Sequence, residues 1–284
     1  MSEHLTAPNL ETHTGPLAGS IDTGTERLIA RRDGHIGWII FNNPLRRNAV
    51  SLDMWAGVPI AVEAFRADPD IHVVIVTGAG DQAFISGADI SQFEAERASP
   101  QANARYGEVS GAAHAALGRL EVPLIAMIQG FCIGGGLAVA LACDLRICGE
   151  GARFAIPAAR LGLGYEYPGI ERLVGVVGPA VAKEILFTAR HFDAEEAKAV
   201  GLVNHVVPVL ELEAAVRAQA EMIAANAPLT VRASKLAVNE ALKDPDRRDL
   251  AKVDAAVQAC FASDDYREGR QAFMEKRRPR FEGR

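Results

Sequence analysis

Apolar and polar residues alternate in several distinct rhythms along the chain. RLIARRDGHIGWIIFNN, from Arg27, holds two apolar runs divided at Asp33 and Gly34, a pair suited to a tight hairpin turn, so two antiparallel strands are predicted. After Pro44, SLDMWAGVPIAVEAFRAD opens on Ser51, a residue fit to cap a helix, and carries apolar residues at helical spacing as far as Pro69. IHVVIVTGAG is a continuous apolar run closed by glycine, the mark of a strand covered on both faces. Asn103 to Leu120 reads as another helix, and VPLIAMIQG as a second buried strand leading to Gly134, Gly135 and Gly136. Those glycines open a short apolar helix, LAVALACD, followed by DLRIC and ARFAI as further strands.

From about Pro179 the pattern turns helical: GPAVAKEILF, DAEEAKAVG before a short strand LVNHVVP, then LELEAAVRAQAEMIAANA with Leu212, Val216 and Ile223 on one stripe. A helix near Pro228 and two more after Pro245 complete the reading. Buried strands separated by helices are best satisfied by parallel units covered on both faces, so the predicted class is α/β with a helical C-terminal part. The expected division is a disordered tail over 1–24, an ordered core over 25–208 with its onset near Arg27, and a helical region over 209–284.

Composition narrows the function little. Apolar residues at 49% and charged residues at 23% are ordinary for a globular enzyme of 284 residues. A net charge of −6 argues against a protein built to neutralise a nucleic-acid backbone. Cys132, Cys143, Cys148 and Cys260 form no CxxC pair and have no neighbouring histidine, so no metal site and no disulfide framework is expected. The first residues lack the basic start and apolar core of a secretory signal, and glycines interrupt the longest apolar run, so a cytoplasmic protein without a membrane span is expected.

Gly134, Gly135 and Gly136, placed after a buried strand and before a helix, leave unpaired N–H groups at a positive helix end, where negative charge is stabilised. The same glycines also suit plain close packing of helix on sheet, and this segment alone does not separate the two readings. No Lys-Ser or Lys-Thr follows them, so they are not a Walker phosphate loop. GAGDQA has Ala83 where a dinucleotide fingerprint needs its third glycine, and a GxSxG nucleophile elbow is absent.

A second such corner lies in AFISGADISQF. This segment resembles the "AGAD" element of the crotonase (enoyl-CoA hydratase/isomerase) family, and GFCIGGGLAVALACDLRIC resembles that family's glycine-rich helix start. NNPLRRNAVS, FTARHFDAEEAKAVGLVNHVVP and EGRQAFMEKRRPRFEG resemble three further family segments, in the same order, so that the similarity runs from about Arg27 to the end. The resemblance implies a ββα-repeat spiral core with a helical C-terminal trimerisation region, a homotrimer or hexamer, and an acyl-CoA substrate whose coenzyme A is carried by the substrate, with no separate cofactor. It implies that the amides of Ala88 and Gly135 hold the thioester oxygen, that Ser86 and Ile90 lie near the adenine, and that Arg46 or Arg47 meets the CoA phosphates. Solvated loop arginines are the alternative for the last two, and a solubilising tail is the alternative for the basic run Arg270, Lys276, Arg277, Arg278 and Arg280, which the resemblance sends towards a neighbouring subunit's CoA.

The sequence departs from the family where its hydratases carry two glutamates: Ala138 and Ala158 stand there. A carboxylate reappears at Glu166, at an offset resembling the acid of isomerase-type and dehalogenase branches, which generally carry aspartate. Glu166 is thus either a general base or a solvated carboxylate at a helix start. Tyr165 and Tyr167 flank it as pocket-lining or proton-donating candidates. His114 and Glu108 lie on the helix expected to cover the site.

Overall fold

The two apolar runs closed by glycine become the centre of a mixed sheet. In the computed structural model, which describes residues 19–89 and 99–284, seven strands lie in the order β1 (Ser20–Ile21), β2 (Leu28–Asp33), β3 (Ile36–Phe41), β4 (Val73–Gly78), β6 (Leu124–Ile128), β8 (Leu145–Gly149) and β11 (His205–Val207). The β2–β3 hairpin is antiparallel, as Asp33-Gly34 predicts, and from β3 to β11 the pairing is parallel. Both faces are covered, which is why these strands read as unbroken apolar runs. Val74 and Val76, with Ile39 and Phe41, face a core shared with α1 (Leu52–Ala67) and α2 (Pro100–Arg119). Val73 and Ile75, with Trp38 and Ile125, face α7 (Leu212–Ala224) through Leu212, Val216 and Ala220.

A second sheet holds four short strands, β10 (Phe192–Asp193), β9 (Arg153–Ala155), β7 (Phe131–Ile133) and β5 (Ala83–Ile85), of which the hydrophobic pattern marks only β9, within ARFAI. Three-residue strands are too short to show a period, and VPLIAMIQGFCI looks like one run although it turns at Gly130 from the first sheet into the second. Gly130 has φ 61°, and a Cβ there would stand 2.1 Å from the Gln82 carbonyl oxygen, so only glycine permits that turn.

The remaining helices are α3 (Gly135–Ala142), α4 (Ala158–Leu161), α5 (Tyr167–Thr188, broken at Gly178 ahead of Pro179), α6 (Ala194–Ala199), α8 (Pro228–Ala241), α9 (Leu250–Ala262) and α10 (Asp264–Glu275). They match the helical C-terminal part read from the sequence. Two local expectations are corrected. Order begins before Arg27, because Ser20–Ile21 pairs with β2 at Ala30 and Arg31. Ser51 stands at the amino end of α1 but does not cap it with its side chain; its hydroxyl binds the Asp53 carboxylate, which also accepts from the Thr25 hydroxyl. No helix among the described residues is long and apolar enough to cross a membrane.

One buried side chain fastens the loop after β3 to both sheets. Asn48, fully buried and left-handed at φ 55°, accepts from the Asn43 amide at 3.0 Å and donates to the carbonyls of Ala79 at 2.8 Å and Ala83 at 2.7 Å. Asn48→Ala leaves two buried carbonyls and the part-buried Asn43 amide unmatched and forces a Cβ-bearing residue without a local polar group into that conformation. The expected cost is roughly 2–4 kcal/mol in urea denaturation, and a change below about 0.5 kcal/mol would show the brace to be dispensable.

Candidate active site

The site begins with the pairing of β5 and β7. These strands run parallel, with Ile85 opposite Cys132, so their carboxyl ends release Ser86-Gly87-Ala88 and Gly134-Gly135-Gly136 side by side. The approach is so close that a Cβ on Gly136 would lie 2.2 Å from the Ile85 carbonyl oxygen, while one on Gly87 would lie 3.6 Å from that of Ile133. Gly134 turns the chain with φ 54° and ψ −112°, and α3 starts at Gly135.

Two main-chain amides are left without acceptors here. Ala88 bridges Val50 in parallel fashion: the Val50 amide donates to Gly87 oxygen at 2.8 Å and the Asp89 amide to Val50 oxygen at 3.0 Å, which turns the intervening Ala88 N–H away from that bridge. Gly135 lies in the first turn of α3, whose N–H groups have no partner within the helix. Among the described residues neither amide donates a hydrogen bond. The positive end of α3 adds to the field at that corner.

Arg46, Arg47 and Ser86 are gathered beside Ala88. The Ser86 amide donates to Arg47 oxygen at 3.1 Å and its hydroxyl to Arg46 oxygen at 3.4 Å. The Arg46 guanidinium is exposed and lies 3.7 Å from the buried Asp89 carboxylate, and the Arg47 guanidinium sits 5.1 Å from the centre of the Phe131 ring. Ile90 lies outside the described residues.

Glu166 occupies the residue before α5. Its carbonyl accepts from the Gly169 and Ile170 amides, but its carboxylate does not cap the helix. The carboxylate reaches α2 instead, since a Cβ on Gly107 would stand 3.6 Å from Glu166 Oε1. Next to it, burial, reinforced by Cys132 and Glu166, pushes the Tyr165 phenol up to about 12, so it keeps its proton. Tyr165 packs on the core with its ring edge where a Cβ of Gly169 would be, whereas Tyr167 is 72% exposed. Ala138, on α3, and Ala158, at the start of α4, bring no carboxylate to this corner.

An aromatic cluster underlies this corner and was missed in the sequence except for His114. The Trp55 indole from α1 lies 3.5 Å from a Cβ built on Gly135, donates to the Tyr106 hydroxyl of α2 at 2.9 Å, and packs 4.9 Å from the His114 ring. Burial, followed by the Arg172 charge, pushes His114 down to about 4, and its Nε2 is buried without a partner among the described residues. A tryptophan at a core position of a predicted helix signals packing only; nothing local ties it to a glycine eighty residues away. Glu108 is exposed. In the C-terminal run, Arg277 is taken up by Glu268, at 2.6 and 2.8 Å, and by Glu275. No group of three His, Cys, Asp or Glu among the described residues is arranged to hold a metal, and Cys132, Cys143 and Cys148 are buried free thiols.

The family model for enoyl-CoA hydratase/isomerase matches residues 31–284. A crotonyl-CoA hydratase from Syntrophomonas wolfei is 36% identical over 257 residues, covering 90% of this chain and 98% of that protein. A carnitinyl-CoA dehydratase from Salmonella typhi is 34% identical over 264 residues, covering 92% and 100%. The crystal structure of an enoyl-CoA hydratase/carnithine racemase from Magnetospirillum magneticum, 38% identical, superposes with a TM-score of 0.88 over 94% of this chain and 98% of its own.

The suppressed basicity of His114 has a consequence for stability. The unfolded chain protonates this imidazole below about 6.5, whereas the folded chain resists doing so until about 4. Stability therefore falls as pH drops from 6.5 towards 4, by up to about 3 kcal/mol from this group. Urea denaturation at pH 7 and pH 5 should show a smaller acid loss in His114→Gln than in the native protein; equal losses would show that His114 does not contribute.

Proposed function

Because the chain belongs to the enoyl-CoA hydratase/isomerase family, we propose that it processes an acyl-CoA through an enolate held by the Ala88 and Gly135 amides, with Glu166 moving a proton along the acyl chain. The observation that carries this reading is the pair of acceptor-free amides released side by side by β5 and β7. A thioester oxygen gains charge as its α-proton leaves, and each donor aimed at that charge contributes roughly 3 kcal/mol. The Glu166 carboxylate removes the α-proton of a β,γ-unsaturated acyl group, and the dienolate charge collects on the thioester oxygen. The same proton then returns to the γ-carbon, shifting the double bond with no net gain or loss of electrons. The coenzyme A belongs to the substrate, and the exposed Arg46, with Arg47 and Ser86 beside it, is suited to meet its phosphates and adenine.

Ala138 and Ala158 favour isomerisation, since hydration in the family way uses carboxylates at both positions. A second reading, addition of water to or removal of water from an unusual acyl-CoA, is favoured by Tyr165. Its phenol is held protonated beside Glu166, where it can serve as the acid. Relatives named as a crotonyl-CoA hydratase and a carnitinyl-CoA dehydratase keep that reading open. Exposed Val238, Leu242, Leu250, Phe261 and Phe273 on and beside α8, α9 and α10 support self-association as a trimer or hexamer.

With a panel of unsaturated acyl-CoAs, the protein should move the double bond, and Glu166→Gln should lower that rate about 100- to 10,000-fold while acyl-CoA affinity stays within about threefold. Undiminished turnover removes Glu166 from the reaction. A hydroxyacyl-CoA product that depends on Tyr165, tested as Tyr165→Phe, establishes the second reading. Tight binding without turnover of any substrate would make the chain a binding subunit. Light scattering after gel filtration should give three or six times the 30.3 kDa chain mass.

A further inference from the structure

Arg146 on β8 is 7% exposed, and no carboxylate among the described residues pairs with it. Its neighbour Asp144 is engaged elsewhere, by Lys235 at 2.7 Å and the Leu124 amide at 2.7 Å. The guanidinium instead donates to main-chain carbonyls: Nη1 to Cys143 at 2.7 Å and Ala140 at 3.4 Å, and Nε to Leu202 at 2.7 Å. Two of those carbonyls belong to the last turn of α3, the helix whose first amide belongs to Gly135, and to its cap residue Cys143. The Asp144 charge acts on Arg146 from nearby without a hydrogen bond to it, and a buried cation with no bonded carboxylate is costly where an apolar residue of similar size would fill the place more cheaply.

Fastening of the loop after α6 does not require the guanidinium, because the Arg146 backbone already holds Asn204. Its amide donates to Asn204 Oδ1 at 2.7 Å, and its carbonyl accepts from the Asn204 amide at 2.8 Å. Besides its bond to the Leu202 carbonyl, what the guanidinium adds is a positive charge at the carboxyl end of α3, opposite the end that carries the Gly135 amide.

We propose that Arg146 is a positioning residue that, acting through α3, raises the positive potential at the Gly135 amide and so stabilises the enolate. This rests on the enolate reading of the site. Eight residues span about 12 Å at the helical rise, and a unit charge at that distance through an effective dielectric of about 20 changes an anion's stability by about tenfold.

The test is exchange of the α-protons of butyryl-CoA and phenylacetyl-CoA for deuterium, followed by NMR. The native protein should exchange them, Arg146→Gln should do so about tenfold more slowly with CoA-ester affinity within about threefold, and Arg146→Lys should recover most of the loss while remaining less heat-stable. Asn204→Ala, which loosens the same loop and leaves the charge, should lower the melting temperature without lowering exchange. No exchange by the native protein overturns the enolate reading and this inference together. Native exchange that Arg146→Gln matches, or that Arg146→Lys and Asn204→Ala lose as fully as Arg146→Gln does, overturns this inference alone. If Arg146→Gln does not fold, Arg146→Lys decides: exchange within threefold of native supports the charge, and a tenfold loss overturns it.

Discussion

The constraint on which the rest depends is the close main-chain contact between Ile85 and Gly136. A carbonyl of one strand end lies where a side chain of the next segment would be, at 2.2 Å from the position of a Cβ. Only glycine tolerates this, and only parallel pairing of β5 and β7 brings the two corners to the same edge. The amides of Ala88 and Gly135 are unpaired for two different reasons, one because its bridge to Val50 uses the residues on either side, the other because a helix has just begun.

Polar groups buried around this corner hold it in place. Asn48 ties the loop after β3 to Ala79 and Ala83, at the end of β4 and the start of β5, so the Arg46–Arg47 segment is bound to the strand that delivers Ala88. The chain around Asn48 accepts left-handed backbone at both Arg47 and Asn48, a conformation that side chains other than asparagine adopt reluctantly. At the far end of α3, Arg146 binds carbonyls of the helix's last turn and cap. Each of these groups is buried with hydrogen bonds to main-chain atoms in preference to side chains, so the backbone itself is what is fixed.

Beneath the glycines the chain places aromatic rings, with the Trp55 indole in reach of Gly135 and packed near His114. Trp55 packs against Gly135 and carries Tyr106 and His114 with it, while burial keeps His114 neutral and the Tyr165 phenol protonated. In such surroundings an oriented amide acts more strongly on a developing charge than it does in water. Glu166, at the exposed rim, reaches α2 at Gly107, one residue from Tyr106 of this cluster.

Sequence alone determined the large sheet, the β2–β3 hairpin, the order of the helices and the two small-residue corners, because burial on both faces and turn chemistry leave marks within a few neighbouring residues. It also located Glu166 and the two alanines, since identity at a position needs no structure. Tertiary structure decided the rest: the second sheet, whose strands are too short to carry a period; the Ser51 hydroxyl, which turned to Asp53 instead of the helix; and the meeting of Trp55, Tyr106 and Gly135 from three helices. These depend on distances between segments far apart in the chain, and a local pattern holds no record of such distances.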